Sequence, residues 1–360
     1  MAVKSPLKRA QQGFILVAAL WIIAIMLIAV GIFHAYVQQK VLIGIQAKAA
    51  LTQTLDRVST TQTVLYLLSS TRKTRAGMTL SDQAESQYIT AEGYLISDAV
   101  GDEVTLDGTS YQGVGSALFS LQDAAGAISL NATNLDDLAQ LLRRFGADPL
   151  TESQLLSRLQ DYTDADDLIN ISGAEQRDYA AKKLPLPTND YLRTEAELTR
   201  VMGWAQWLDE HPEVELQNWF TIKRDSVLNL NVMPKSLLVK YLNLKPDLAE
   251  LLMRERKTNP FNNIDDFILR TGLPLNLSEE KYRFFPSNEM RLKVWNQGGG
   301  QAQLISLQLT PNGLFGPWLV DYEYSVQRGN DNNEAIALWQ TNLFDHTLGA
   351  EREQSGTFRE

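Results

Sequence analysis

The sequence predicts an α+β protein in which a long N-terminal helix lies on an antiparallel β-sheet, and a large α-helical insertion interrupts that sheet. Three observations predict it. An uncharged apolar run, Phe14 to Phe33, continues into an amphipathic helical pattern reaching residue 71. β-prone segments occur on both sides of the middle of the chain, within 94–130 and 290–340. Between them lies a leucine-rich block whose apolar spacing follows the helical period of 3.6 rather than the strand period of 2.

The apolar run, FILVAALWIIAIMLIAVGIF, is 20 residues long. At a rise of about 1.5 Å per residue it spans about 30 Å, the thickness of a bilayer core. It follows a basic leader, MAVKSPLKRAQQG. Three readings compete. A cleaved secretory signal has an apolar region of only about 7–15 residues followed by a small-x-small cut site; this run is longer, and GIFHAYVQ after it offers no clean site. A plain signal anchor is the second reading. The third is a prepilin-type leader cut between Gly13 and Phe14, which explains a basic leader that ends in glycine and meets phenylalanine at once. In all three, Lys4, Lys8 and Arg9 stay cytoplasmic and the body is exported.

Beyond Phe33 the helix continues. Val37, Val41, Ile45, Leu51, Leu55, Val58, Leu65 and Leu68 recur at three- and four-residue steps with polar residues between them, which is amphipathic periodicity. The domain limits expected are a leader at 1–13, a long helix at 14–71 with its membrane part at 14–33, and a first α/β part at 72–130. The helical insertion follows at 131–286, the return to the sheet at 287–345, and a polar tail at 346–360.

Within 72–130, Tyr94–Ile96 and Val104–Leu106 read as strands, with Asp107–Gly108 as a turn signal. Phe119–Asp123 and Ala127–Leu130 flank Ala124–Gly126 as a tight hairpin. The NATN at 131–134 offers an N-cap to a helix carrying Leu135, Leu138, Leu141, Leu142 and Phe145. Asp148–Pro149 starts a second helix with Leu155, Leu156 and Leu159 on one face. An acidic loop follows, closed by Pro185 and Pro187, and Thr194 with Glu197 forms a capping box. A second helical unit has pieces at Pro234–Tyr241, Pro246–Arg256 and Ile264–Arg270. ISLNATN at 128–134 and LNLNVMP at 228–234 make a weak two-fold repeat. Strands then return at Met290–Trp295, Gln303–Leu309, Leu319–Val326 and Ala335–Gln340.

Net charge is −10, and without the leader 30 basic side chains face 43 acidic ones, or −13. That argues against a non-specific nucleic-acid binder, which needs a basic surface to displace counterions. There is no cysteine, so neither a disulfide framework nor a thiolate zinc site is available. The three histidines, His34, His211 and His346, are far apart, and no nucleophile elbow, phosphate loop or zinc-protease helix appears. The sequence supports no enzyme.

Several motifs occur together in order: QQG–FILVAALW, LQDAAGAISLN at 121–131, LQDYTDADD at 159–167, SGAEQRDY at 172–179, EAELTRVMGW at 195–204, LNLNVMPKSLL at 228–238 and RERKTNPFNNIDDF at 254–267. In this combination the chain resembles the type II secretion system protein K family, the large minor pseudopilins. Pilins and most pseudopilins carry Glu as the fifth mature residue. Here that position is Ala18, apolar as in protein K. A buried carboxylate in a bilayer is costly without a partner, and a subunit with nothing above it at a fibre tip needs none.

The resemblance implies a pilin-like core with a SAM-like or helix-hairpin-helix-like helical insertion. It implies a non-enzymatic subunit in the inner membrane of a Gram-negative bacterium, with its body in the periplasm. Such a subunit caps a short periplasmic fibre with the minor pseudopilins I and J, and helps initiate assembly for export of folded proteins across the outer membrane. Prepilin peptidase would cut after Gly13 and leave Phe14 as a methylated N-terminus. Ala18 and the stripe Val37, Val41 and Ile45 would face membrane or partner helices. The alternative is a signal-anchored periplasmic binding module of a type IV pilus or DNA-uptake system. Residues 229–270 resemble a helix-hairpin-helix, but Asn243–Pro246 lacks the glycines that let phosphate approach the backbone.

Asp161, Asp164, Asp166, Asp167, Glu175 and Asp178 fall within 18 residues, with Asn170 as an amide oxygen. Hard cations such as Ca²⁺ take six to eight oxygen ligands, and a cation would lock a loop of carboxylates that otherwise repel. The spacing is not that of an EF-hand: Leu168 and Ile169 occupy ligand positions and the required glycine is missing. The resemblance implies a calcium site in this region; the other reading is a solvated loop with helix caps. Asn330 to Glu334 is a second oxygen-rich loop that reads as a turn. Trp204, Trp207, Trp219 and Phe220 read as core or as a partner surface.

Overall fold

The computed structural model describes residues 12–81, 87–89, 95–273, 279–298, 300–311, 313–327 and 341–344. The strand expected at Ala335–Gln340, the loop at Asn330–Glu334, His346 and the tail lie outside the described residues. The chain divides into two units, 1–55 and 56–360.

Helix α1 runs Gln12–Ser70. In the first unit its apolar residues are exposed, among them Trp21, Ile25 and Ile28, and it is long and apolar enough to cross a membrane. From Asp56 the helix belongs to the second unit, where Val64, Leu65 and Leu68 are buried.

Among the described residues, α1 is followed by the short strands β1 Arg72–Lys73, β2 Gly77–Thr79, β3 Gln87–Ile89, β4 Leu95–Ser97 and β5 Val104–Thr105. Lys73 extends its ammonium to Ser287 O (3.5 Å) and Asn288 Oδ1 (3.3 Å). Burial lowers its pKa to about 8, against the opposing pull of Asp123. Between pH 8 and the unfolded value of 10.5 the unfolded chain therefore keeps a proton that the folded one has lost, so stability rises with pH. Urea unfolding should show a gain of about 1–2 kcal/mol from pH 8 to 9.5. Lys73→Met should abolish that rise, and an identical profile in the variant would refute it.

The main sheet is formed by β6 Asp107–Gln112, β7 Ala117–Asp123, β12 Glu289–Asn296, β13 Gln301–Leu309 and β14 Trp318–Gln327, in the order β14-β13-β12-β7-β6, all antiparallel. β12 lies between β7 and β13, so segments on both sides of the helical block share one sheet. Alternation sorts its faces. Phe119, Leu121, Leu292, Val294 and Leu307 pack with Val64, Leu65 and Leu68, whereas Ser120, Gln122, Arg291 and Lys293 point to the other side. The sequence pattern of a long helix, antiparallel sheet and helical insertion is the observed α+β fold.

The hairpin expected at 119–130 does not form. Both edges of β7 are already taken by β6 and β12. Ala124–Gly126 is a 3₁₀ turn capped by Asp123, which accepts from Ala125 N (2.8 Å) and from Ser287 N (2.7 Å) and Oγ (2.5 Å). The chain then leaves the sheet.

The helical block begins with β8 Ile128–Ser129, α2 Asp136–Arg144, α3 Pro149–Thr163, α4 Gln176–Ala181, α5 Trp204–Glu210, α6 Leu216–Trp219 and β9 Phe220–Thr221. It continues with β10 Leu228–Asn229, α7 Lys235–Lys240, α8 Pro246–Glu255, α9 Ile264–Thr271 and β11 Tyr282–Arg283. The repeat faintly visible in the sequence is a structural one. β8 pairs in parallel with β9, and β10 pairs in parallel with β11. Asn131 donates to Leu192 O and Ile222 O and accepts from Leu192 N, each at 2.9 Å. Asn231 donates to Phe261 O and Phe284 O at 3.0 Å and accepts from Phe261 N at 2.8 Å. Each asparagine thus ties three backbone groups beside its parallel bridge. The α2–α3 and α7–α8 turns each hold one residue in the left-handed region, Gly146 (φ 86°) and Asn243 (φ 59°), and each following helix starts on proline.

Asn131 is therefore a buried tie rather than a cap, and Asn134 Oδ1 instead accepts from Asp136 N (2.8 Å). The capping box at Thr194 is also absent. Glu195–Arg200 is a 3₁₀ helix, Thr194 makes no side-chain cap, and Glu197 accepts from Arg193 N (2.9 Å). Trp204, Trp207, Trp219 and Phe220 are buried, and Phe145 packs on Trp207 and Trp219 at 5.5 and 5.4 Å. They are core.

Candidate metal site

The acidic loop is built from the end of α3. Asp148 caps that helix by accepting from Leu150 N (2.9 Å) and Thr151 N (3.2 Å), with Pro149 in the first turn where no amide is missed. Leu155, Leu159 and Tyr162 bury one face. Asp161 on the same helix is fully buried. Its Oδ1 accepts from Asn170 N (3.2 Å) and Nδ2 (2.6 Å), and its Oδ2 from Ala174 N (2.7 Å). The loop folds back onto that carboxylate so closely that a Cβ on Gly173 would lie 1.9 Å from Asp161 Oδ2.

Other oxygens in the loop lack such partners. Glu175 is 3% exposed. Both its carboxylate oxygens, with Asp164 Oδ1 and Asn189 Oδ1, are buried without a hydrogen-bond partner. Burial first, then Asp161, Asp164 and Asp167, push the Glu175 pKa up to about 7, offset only in part by the Gln176 amide. Asp164 is raised by burial and by Asp166, Asp161 and Asp167. This is the signature of carboxylates held together without a counter-charge.

The remaining expected ligands have other partners. Asp178 Oδ2 accepts from Glu175 N (3.2 Å), which makes it a cap of α4. Asp166 Oδ1 accepts from Leu168 N (2.9 Å) in a local turn. Asp167 Oδ1 accepts from Asn189 Nδ2 (3.3 Å), which also reaches Asp166 O (3.3 Å). Asn189, in the left-handed region at φ 48°, was not expected from the sequence. The signal available was Asn-Asp after a proline-rich run, since Asn tolerates that conformation in turns. Among the described residues no group of three or more His, Asp or Glu is already drawn together as a metal cage. Even so, the orphaned oxygens of Glu175, Asp164 and Asn189 are hard, anionic or amide donors. They fit a hard cation such as Ca²⁺ and not a soft one.

In the first unit, Gly13 and Phe14 lie within α1, Ala18 is half-buried, and Val37, Val41 and Ile45 are 39%, 56% and 61% exposed.

Residues 117–209, which run from β7 through the acidic loop to α5, match the family model for type II secretion system (T2SS), protein K. Over this segment the chain is similar to protein K. The resemblance read from the motifs holds there, and the protein K segment contains the whole candidate metal site. Among solved structures, the chain is similar to one in the crystal structure of the GspK-GspI-GspJ complex from the enterotoxigenic Escherichia coli Type 2 Secretion System. The identity is 16% and the TM-score 0.44, over 59% of this chain and 80% of that one. No curated protein matches.

Proposed function

We propose that the chain is a minor pseudopilin of a type II secretion system that caps the tip of the periplasmic pseudopilus and helps initiate its assembly. The observation that carries this reading is the protein K segment in a chain whose N-terminal helix carries the uncharged 20-residue run Phe14 to Phe33. Its partners are the minor pseudopilins I and J. The apolar half of α1 spans the inner membrane, and the body lies in the periplasm. Val37, Val41 and Ile45 form an exposed stripe available to partner helices. The chain does no chemistry of its own.

The leader is cut by prepilin peptidase between Gly13 and Phe14, and Phe14 is methylated. N-terminal sequencing and intact mass of protein recovered from membranes should show a start at Phe14. Mature size should be lost in a Gly13→Leu variant, and a variant that still yields it would remove this cleavage site. Calcium is held by Asp164 and Glu175, with Asn189 contributing an amide oxygen, while Asp161 and Asp178 shape the loop. A bound cation neutralises the carboxylates and fixes the loop against α3.

A further inference from the structure

The hairpin of β13 and β14 ends in a turn, 310–317, whose tip residues Leu314 and Phe315 are 97% and 89% exposed. The turn itself is tightly held. Thr310 N donates to Pro317 O (2.8 Å), Thr310 Oγ1 to Gly316 O (2.8 Å) and Gly313 N to Thr310 O (2.8 Å). A Cβ on Gly313 would lie 2.9 Å from Gly316 O and from Thr310, so this closure needs a glycine. At its base Trp318 packs on the core that holds Val64 and Phe119. Two large apolar side chains are thus fixed in solvent by a locked frame. The tip also stands clear of α1. Glu289 faces Gln308 and Met290 faces Asp123, so the turn leaves the sheet at the Asp123 end. Asp56, on α1, accepts from Ser116 N and Oγ (2.9 Å each) at the opposite end.

Two features favour a lipid surface over a protein groove. Hydrocarbon solvates no backbone polar group, so a segment entering it must satisfy its own. Pro311 and Pro317 have no N–H to satisfy. The amides of Thr310 and Gly313 and the carbonyls of Thr310, Gly316 and Pro317 are paired inside the turn. Charge is the second feature. Residues 294–320, 27 in succession, carry none, in a chain of net charge −10, whereas a protein contact is framed by a polar rim. Leu168, Ile169 and Ile171 in the acidic loop are exposed as well. They follow Asp166 and Asp167, whose carboxylates are costly to carry into lipid.

We infer that the 310–317 turn inserts Leu314 and Phe315 into the surface of a zwitterionic phospholipid bilayer, as a membrane contact additional to α1. An anionic surface repels the net negative charge of the chain, and the hairpin supplies no cation to offset that. A knob of two side chains binds weakly alone. It acts where the chain is already held beside a membrane and the second contact is intramolecular. The inference uses neither the protein K segment nor the acidic loop, so its failure would leave the pseudopilin reading untouched.

The chain has no cysteine, so Leu314→Cys takes a single fluorescent label. The test places the labelled full-length chain in phosphatidylcholine proteoliposomes and measures quenching by spin-labelled lipid. The same label on Leu168→Cys, also an exposed apolar position, is the control for insertion of the dye itself. Quenching is expected at 314 and not at 168. Adding Phe315→Asp to the Leu314→Cys chain should lower the inserted fraction about tenfold without changing the melt, because the side chain it replaces touches solvent. An admixture of phosphatidylglycerol should not strengthen the contact. Equal quenching at the two positions overturns the inference, as does quenching indifferent to Phe315→Asp or quenching that requires phosphatidylglycerol. No quenching at 314 also overturns it and leaves the tip to a protein groove.

Discussion

Arg256→Met is expected to lower the unfolding free energy by about 3–5 kcal/mol, the usual cost of leaving a buried charge alone. Arg256, at the end of α8, and Asp107, at the start of β6, join helical block to sheet at 2.7 Å, with side chains 2% and 1% exposed. Arg256 also donates to Leu230 O (3.1 Å) and Met233 O (2.9 Å). Burial opposes ionisation of Asp107, but Arg256, Thr109 and Thr105 outweigh it and hold its pKa below the ordinary carboxylate value. The contribution is therefore present above the unfolded pKa and is lost as pH falls through the folded one. Without the arginine, Asp107 Oδ2 and two carbonyls lose their donor, while Asp107 Oδ1 keeps those of Thr105 and Thr109. The double variant Asp107→Leu with Arg256→Met should recover most of the loss, because no uncompensated charge remains. Urea unfolding measures both. A single-variant loss under about 1 kcal/mol would show that the pair does not rivet the two parts.

That rivet was invisible in the sequence, because residues 107 and 256 are neither neighbours nor part of a periodic pattern. The α+β order was legible because its signals are local: an uncharged run, leucines at helical spacing and alternation in β12 and β13. The hairpin at 119–130 was misread for a non-local reason. Short apolar pieces around Ala124–Gly126 look like a turn between strands, and only the return of β12 shows that both edges of β7 are occupied. The repeat was half legible. ISLN and LNLN could be seen, but not that Asn131 and Asn231 perform the same three-bond tie, since each partner lies 30 to 91 residues away. In the acidic loop the run of acids was legible, but not how their surroundings divide them. Asp161 and Glu175 are both buried acids in one stretch. The first receives three hydrogen bonds, whereas the second meets only the Gln176 amide, too weakly to offset its burial.

This division makes the two acids respond differently to calcium. If Glu175 is a ligand, calcium at 100 times its dissociation constant should stabilise the protein by about 2.7 kcal/mol, and a chelator should remove that gain. Glu175→Gln should abolish the gain. It should also leave the chelated protein no less stable than the parent, because the amide removes a buried carboxylate crowded by Asp161, Asp164 and Asp167. Asp161→Asn should behave in the opposite way. It weakens the acceptor for the Asn170 and Ala174 amides, so it should cost about 1–3 kcal/mol with or without calcium. Thermal melts of the three proteins, with calcium and with chelator, separate the ligand acid from the scaffold acid. A chelator-insensitive melt of the parent would end the calcium reading. A normal calcium gain in Glu175→Gln would move the site away from this loop's buried acid.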